Sequence, residues 1–173
     1  MISSLAGVIA FTSLLVAQRL LELRMSARHA VLLRARGAVE HGRGHYPLLV
    51  FVHTLLPIGM IAEVALLGAQ PGASWPLWAV LFASAQGLRY AAIRALGPSW
   101  NTRVLVVPGA PLVRTGPYRW LRHPNYVAVV IELIAAPLLF GAWRTALAVT
   151  LLNAVALTLR IRCEERALGE AGG

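Results

Sequence analysis

The sequence contains no lysine and no aspartate, a single cysteine, and little charge of any kind: 13% of its 173 residues. One cysteine, Cys163, excludes an intramolecular disulfide framework and any cysteine-based metal cluster. The low charge comes with 58% apolar residues, against roughly 25% and 45–50% in soluble domains. A disordered chain is excluded, and an ordinary soluble enzyme is a poor fit. The chain also lacks G-x-G-x-x-G, a P-loop, H-E-x-x-H and G-x-S-x-G. With no strand pattern to carry a glycine-rich nucleotide turn, an active site must be assembled from helix ends and loops. There is no internal repeat and no low-complexity linker, and the length suits a single domain.

What is present is apolar and gathered into runs. About 20 apolar residues cross a bilayer. Such runs occupy about 4–21, 47–68 and 75–97, and a split run follows from Tyr126 to Ile161. Pro137 and the segment Phe140 to Arg144 divide that last run into two helices, about 126–140 and 143–162. No basic region precedes the first run and no small-residue cleavage signal follows it, so it reads as a span and not as a signal peptide. Trp75, Trp78 and Trp143 stand near span ends, as interfacial aromatics do. The expected fold is an all-α integral membrane protein of about five transmembrane helices, the last two a hairpin. One membrane domain covers 1–173: three spans in 1–97, then a loop, the hairpin and a tail in 98–173.

All 16 basic residues are arginine, and the net charge is +9. A basic balance could mean a nucleic-acid partner. Most of these arginines fall between apolar runs instead, which fits membrane loops and no nucleic acid. Arg24, Arg28, Arg34, Arg36 and Arg43 lie in the loop 22–46, and Arg103, Arg114, Arg119 and Arg122 in the loop 98–125. Arg162 and Arg166 follow the last span, with Arg160 at its edge, while 69–74 has no charge. The positive-inside rule then expects the N-terminus outside and both long loops and the tail in the cytoplasm, as in a bacterial inner membrane. Residues 169–173 are expected to fray.

Polar density peaks from Leu112 to Tyr126, which holds Arg114, Arg119, Arg122, His123, Asn125, Tyr118 and Tyr126. Gly116-Pro117 marks a turn, and His123-Pro124 marks a helix start. Free N–H groups at that start could bind a carboxylate or another anion. A basic loop resting on anionic lipid would read the same way. A second cluster, Asn153, Leu157, Arg160 and Glu164, falls on one face of the last span. Arg160 could fork onto a carboxylate and Glu164 could accept from an ammonium or a ribose hydroxyl. They could equally pair with each other, for about 0.3–0.5 kcal/mol. Charges within spans tend to face the interior and mark function. Arg89 is therefore either a partner of Glu132 or a pocket residue, and Arg94 snorkels. Glu63 is expected near the outer interface and His53 as a packed histidine. His41 and His45 have poor metal spacing, so no metal is expected.

The run Leu112-Val113, Gly116, Tyr118 and Arg122-His123-Pro124-Asn125-Tyr126, then a helical hairpin and Arg160-x-x-x-Glu164-Glu165, resembles the isoprenylcysteine carboxyl methyltransferase family. The likeness covers about the last 75 residues; the first three spans agree in number and position. It implies an integral-membrane methyltransferase that uses S-adenosylmethionine. Pro111, Leu112, Val113, Tyr118, His123, Pro124, Asn125, Tyr126 and Glu164 would then contact the cofactor. Arg160 would engage the acceptor, with Asn153 beside it in substrate binding. Ala110 or Pro111 stands where eukaryotic members often have His, and Ala128 replaces a common Gly. The chain is thus more similar to small bacterial members, some of which methylate polyketide hydroxyls such as those of alkylpyrones. The implied acceptor is lipophilic, a prenylcysteine-type carboxylate or a polyketide-type hydroxyl, and enters from the bilayer. A carboxylate is already ionised at neutral pH. A hydroxyl could need a base, for which His123 or Glu165 is the candidate. The competing readings are an NADPH-dependent reductase of the sterol type, which resembles the same architecture, and a non-enzymatic membrane scaffold or transport component.

Overall fold

A computed structural model describes residues 2–172, with side chains over 4–170. Five helices form the protein: α1 (Ile2–Ala35), α2 (Tyr46–Leu67), α3 (Trp75–Leu96), α4 (Pro124–Leu138) and α5 (Trp143–Gly172). The strands β1 (Val39–His41) and β2 (Val104–Val106) pair antiparallel, with Glu40 opposite Leu105. This small ribbon is the one departure from an all-helical chain among the described residues.

Two helices outrun their expected ends. The stretch 22–35 was expected as loop, but it continues α1 to Ala35 because no Gly or Pro interrupts its helix formers. Gly37, at φ +83°, ends it: the amides of Gly37 and Ala38 donate back to the carbonyls of Arg34 and Leu33. The tail is likewise helical to Gly172, not frayed, and its Ala167 is buried against Val104 and Val106. Gly173 lies outside the described residues.

α1, α2 and α5 are long and apolar enough to cross a membrane. α3 matches their length but carries Gln86, Arg89 and Arg94. The 15 residues of α4 reach about 22 Å, short of a hydrocarbon core of about 30 Å. Buried Ala128, Ala135 and Ala136 let α4 lie close along α3. The outward faces are apolar, with Leu14, Leu66, Val80, Leu151 and Val155 exposed, as lipid contact requires.

Polarity is turned inward. Arg19 bonds both Glu22 and Glu132, Arg89 bonds Glu132, and Arg89 Nη1 lies 3.5 Å from Glu22 Oε2. Gln18 donates to Glu22 at 3.1 Å and to Gln86 at 2.8 Å. Two cations and two anions therefore alternate in a neutral quartet joining α1, α3 and α4. Glu63 is buried one turn before the end of α2. It accepts from the amides of Arg144 and Thr145 at 3.1 and 2.8 Å and from Thr145 Oγ1 at 2.8 Å, so α2 caps the start of α5. A Cβ on Gly59 would stand 2.8 Å from Thr145 Cγ2, so that residue keeps the two helices close.

Glu40 ties the ribbon down by accepting from Arg34 at 2.9 Å and Arg103 at 2.7 Å, with Arg43 at 3.4 Å. Burial opposes ionisation of Glu40, but the hydrogen bonds of Arg103 and Arg34 and the charges of Arg103 and Arg43 outweigh it and hold the carboxyl below its usual range. Stability from Glu40 is then complete above its unfolded pKa, about 4.3, and is lost as pH falls through the lower folded value. The gap in Tm between wild type and Glu40→Gln should hold at neutral pH and shrink as the sample is acidified below that range. Glu132→Ala should be costlier, about 3–5 kcal/mol by unfolding in detergent, because it leaves Arg19 and Arg89 without their shared carboxylate.

Candidate active site

The N-terminus of α4 is built by Pro124, which suits the first turn and is buried there. It makes Tyr126 the third residue of the helix, facing α5. The Tyr126 hydroxyl accepts a hydrogen bond from Arg160 Nε at 2.8 Å and donates to Glu164. Arg160 and Glu164 are one helical turn apart on α5, yet no direct ion pair joins them; the phenol hydroxyl stands between them. Arg160 Nη1 donates to the carbonyl of Thr102 at 2.6 Å, and Nη2 has no partner among the described residues. The guanidinium is buried, with 7% of the residue exposed, and its carbon lies 5.5 Å from the Tyr126 ring centre.

On one side of this Arg160–Tyr126–Glu164 bridge is a cavity of about 320 Å³. Leu15, Val16, Leu20, Leu49 and Val50 of α1 and α2 give it apolar walls. Arg160, Tyr126, Asn125 and Asn153 line it, as do Arg19, His53 and Arg89. Both expectations for Arg89 therefore hold: it pairs with Glu132 and it lines the pocket. His53, expected as a packed histidine, also lines the cavity.

Outside the cavity lining lies a partly buried polar cluster, the recess, of Tyr118, His123 and Glu164. His123 stacks on Tyr126 with ring centres 5.2 Å apart. Its Nε2 is 3.4 Å from Glu165 Oε1 and its Nδ1 is 3.8 Å from Glu164 Oε1. Arg122 reaches Glu165 at 3.5 Å. Burial, and then the nearby Glu164 carboxylate, push the Tyr118 phenol up, so it stays a neutral donor. Tyr118, His123, Tyr126 and Glu164 thus gather at one place. Asn125, Tyr126, Asn153 and Arg160 face the cavity. Pro111, Leu112 and Val113 lie apart from the cavity lining, in the irregular segment after β2, with Leu112 58% exposed.

The family model for isoprenylcysteine carboxyl methyltransferases matches residues 78–170, just over half the chain. The chain belongs to the isoprenylcysteine carboxyl methyltransferase family. The match spans α3, the ribbon strand β2, α4 and most of α5, and so takes in every residue of the Tyr126 bridge and of the polar recess. It supports a membrane methyltransferase of the isoprenylcysteine type. The chain is also similar to the uncharacterized protein YpbQ of Bacillus subtilis strain 168, 41% identical over 158 residues, or 91% of this chain and 94% of the relative. An uncharacterized protein of Haemophilus influenzae is 28% identical over 155 residues, covering 89% and 90% of the two chains.

Several site residues escaped the sequence reading. The Thr102 carbonyl is invisible to any side-chain motif. Arg19 lies inside the first apolar run, where a charge is a signal of function in its own right, and Glu22 stands one residue past the end of that run, so hydropathy alone does not reveal that it shares the same helix.

Tyr126→Phe should show what the bridge does in this methyltransferase. The substitution removes the hydroxyl and leaves Arg160 Nε without its acceptor, which costs about 1–3 kcal/mol of stability. In a purified, folded sample it should lower transfer to acceptor at least tenfold.

Proposed function

We propose that the protein is an S-adenosylmethionine-dependent O-methyltransferase acting on a lipophilic acceptor, with donor in the polar recess and acceptor in the cavity. The observation that carries this reading is Arg160, pinned by Tyr126 and Thr102 on the boundary between an apolar cavity and an acidic, aromatic recess. The donor set suits the cofactor. Glu164 can accept from ribose hydroxyls or an ammonium, the His123–Tyr126 stack offers a flat face, and the Asn125 amide in the first turn of α4 suits a carboxylate. When bound, the cofactor supplies an activated methyl group on sulfonium. The protein's part is alignment and the exclusion of water.

Arg160 Nη2 is the free donor that would orient an acceptor oxygen toward the recess. A carboxylate needs no base there, and for a hydroxyl the guanidinium charge favours the ionised form. His123, held toward Glu165, is the candidate to take that proton. The apolar walls of α1 and α2 would receive the lipid tail from the bilayer. By the distribution of arginine, the recess faces the cytoplasm of a bacterial inner membrane.

Equilibrium binding of S-adenosylmethionine to purified protein tests the cofactor assignment, with NADPH as the competing ligand. Saturable binding weakened at least tenfold by Glu164→Ala is expected. Arg160→Ala should keep cofactor binding and lose methyl transfer. NADPH binding in place of S-adenosylmethionine, or unchanged transfer by both variants, would overturn the reading.

A further inference from the structure

Six buried side-chain polar atoms lack a hydrogen-bond partner among the described residues, and four belong to residues that line the same cavity. They are two donors, Arg89 Nε and Trp100 Nε1, and two acceptors, Asn125 Oδ1 and Asn153 Oδ1. Arg89, Trp100 and Asn153 are each at most 3% exposed, so solvent does not serve them. Leaving such atoms unserved costs more than a made bond gains. Their residues converge on one space with largely apolar walls, which points to a ligand that carries polar groups of its own.

These atoms lie at two levels. Tyr46, Ser26, Thr102, Tyr126 and Arg160 are joined by hydrogen bonds at one level, with Trp100 and Asn125 adjoining them in sequence. On four helices a second polar residue follows six or seven positions deeper: His53 from Tyr46, Arg19 from Ser26, Glu132 from Tyr126 and Asn153 from Arg160. At a rise of about 1.5 Å per residue the second level is about 10 Å from the first. The Arg19–Glu22–Arg89–Glu132 quartet bonds across this deeper level.

We infer that the acceptor is an oxygenated lipid, with one oxygen at Arg160 and a second, neutral hydroxyl on its chain about 10 Å away at the level of Asn153 and Arg89. The inference rests on the cavity being the acceptor site. A hydroxyl suits because it donates to an acceptor such as Asn153 Oδ1 and accepts from a donor such as Arg89 Nε. A second charge does not suit, since the quartet beside it is already balanced. A plain hydrocarbon tail would seal both orphaned atoms in a dry space.

Binding of decanoate and of its positional hydroxy isomers to the protein in lipid nanodiscs tests this, using the fatty acids themselves as probes. One isomer, with its hydroxyl well along the chain, should bind about tenfold more tightly than decanoate, and isomers with the hydroxyl near the carboxylate should not. Asn153→Leu should erase that preference, bringing the ratio of hydroxy-isomer affinity to decanoate affinity to about one. The wild-type series decides the matter even if the variant does not fold. Equal binding of all isomers would overturn the inference, because water would then be serving the orphaned atoms. Absence of binding by any isomer to folded protein would overturn it as well. S-adenosylmethionine binding measured on the same sample separates the two claims. A hydroxyl preference without cofactor binding upholds this inference and sinks methyl transfer. Cofactor binding without a preference does the reverse.

Discussion

Two guanidinium groups and two carboxylates meet where α1, α3 and α4 face one another, inside a protein whose outer faces are apolar. The rest of the bundle is arranged around that fact. A lone charge buried there would be prohibitive, and a single ion pair would leave most of its hydrogen-bonding capacity unmet. Alternating Arg19, Glu132, Arg89 and Glu22 gives each charge opposite neighbours and no net charge. Arginine is the residue for this work. Its planar fork can bond two carboxylates at once, whereas an ammonium is a compact and more strongly hydrated point charge. The absence of lysine from the whole chain agrees with such a requirement.

The quartet also explains why there is a cavity. α1 packs on α2 and α3 packs on α4, so the backbones form two pairs. Long arginine side chains bridge between the pairs, and α5 contacts both. Bridging by side chains leaves space that backbone packing would have closed. The space is closed toward the recess by the Arg160–Tyr126–Glu164 bridge, which depends in turn on Thr102. Thr102 is held by Ser26, whose hydroxyl accepts from the Thr102 amide at 3.0 Å, and so by the part of α1 beyond the apolar run. The ribbon that follows is pinned by Glu40 and by Ala167 of α5. A chain of contacts therefore runs from the quartet to the bridge without leaving the described residues.

The helices were legible in the sequence because apolar runs and the breakers between them are local. The turn at Phe140 to Arg144 and the helix start at Pro124 are where proline and glycine put them. The helical ends beyond the apolar runs were not legible by the same signal, since hydropathy reports where lipid stops and not where a helix stops. Residues 22–35 and 163–172 are polar on much of their surface and helical nonetheless. The ribbon was hidden for another reason: three-residue strands carry too little alternation to register. In the site, Tyr126, His123, Arg160 and Glu164 were legible as a motif. That the hydroxyl of Tyr126 would separate Arg160 from Glu164, in place of a direct pair, follows only from the packing of α4 against α5.

The seven glutamates show how little of the charge is left for chemistry. Glu22 and Glu132 belong to the quartet, Glu40 to the ribbon and Glu63 to the start of α5. Glu165 faces Arg122 and His123, and Glu170 is exposed near the end of α5. Glu164 differs from all of these. One of its oxygens is bonded by Tyr126, while the other lies 3.8 Å from Nδ1 of His123 and is not hydrogen-bonded to it. A carboxylate that is fixed at one oxygen and open at the other is oriented without being satisfied. Arg160 repeats the pattern with the opposite charge: Nε and Nη1 are held and Nη2 is open. Tyr126 fixes both through a single hydroxyl. The two unsatisfied groups therefore face opposite sides of one phenol, and what binds at one is coupled to what binds at the other through that shared hydrogen bond.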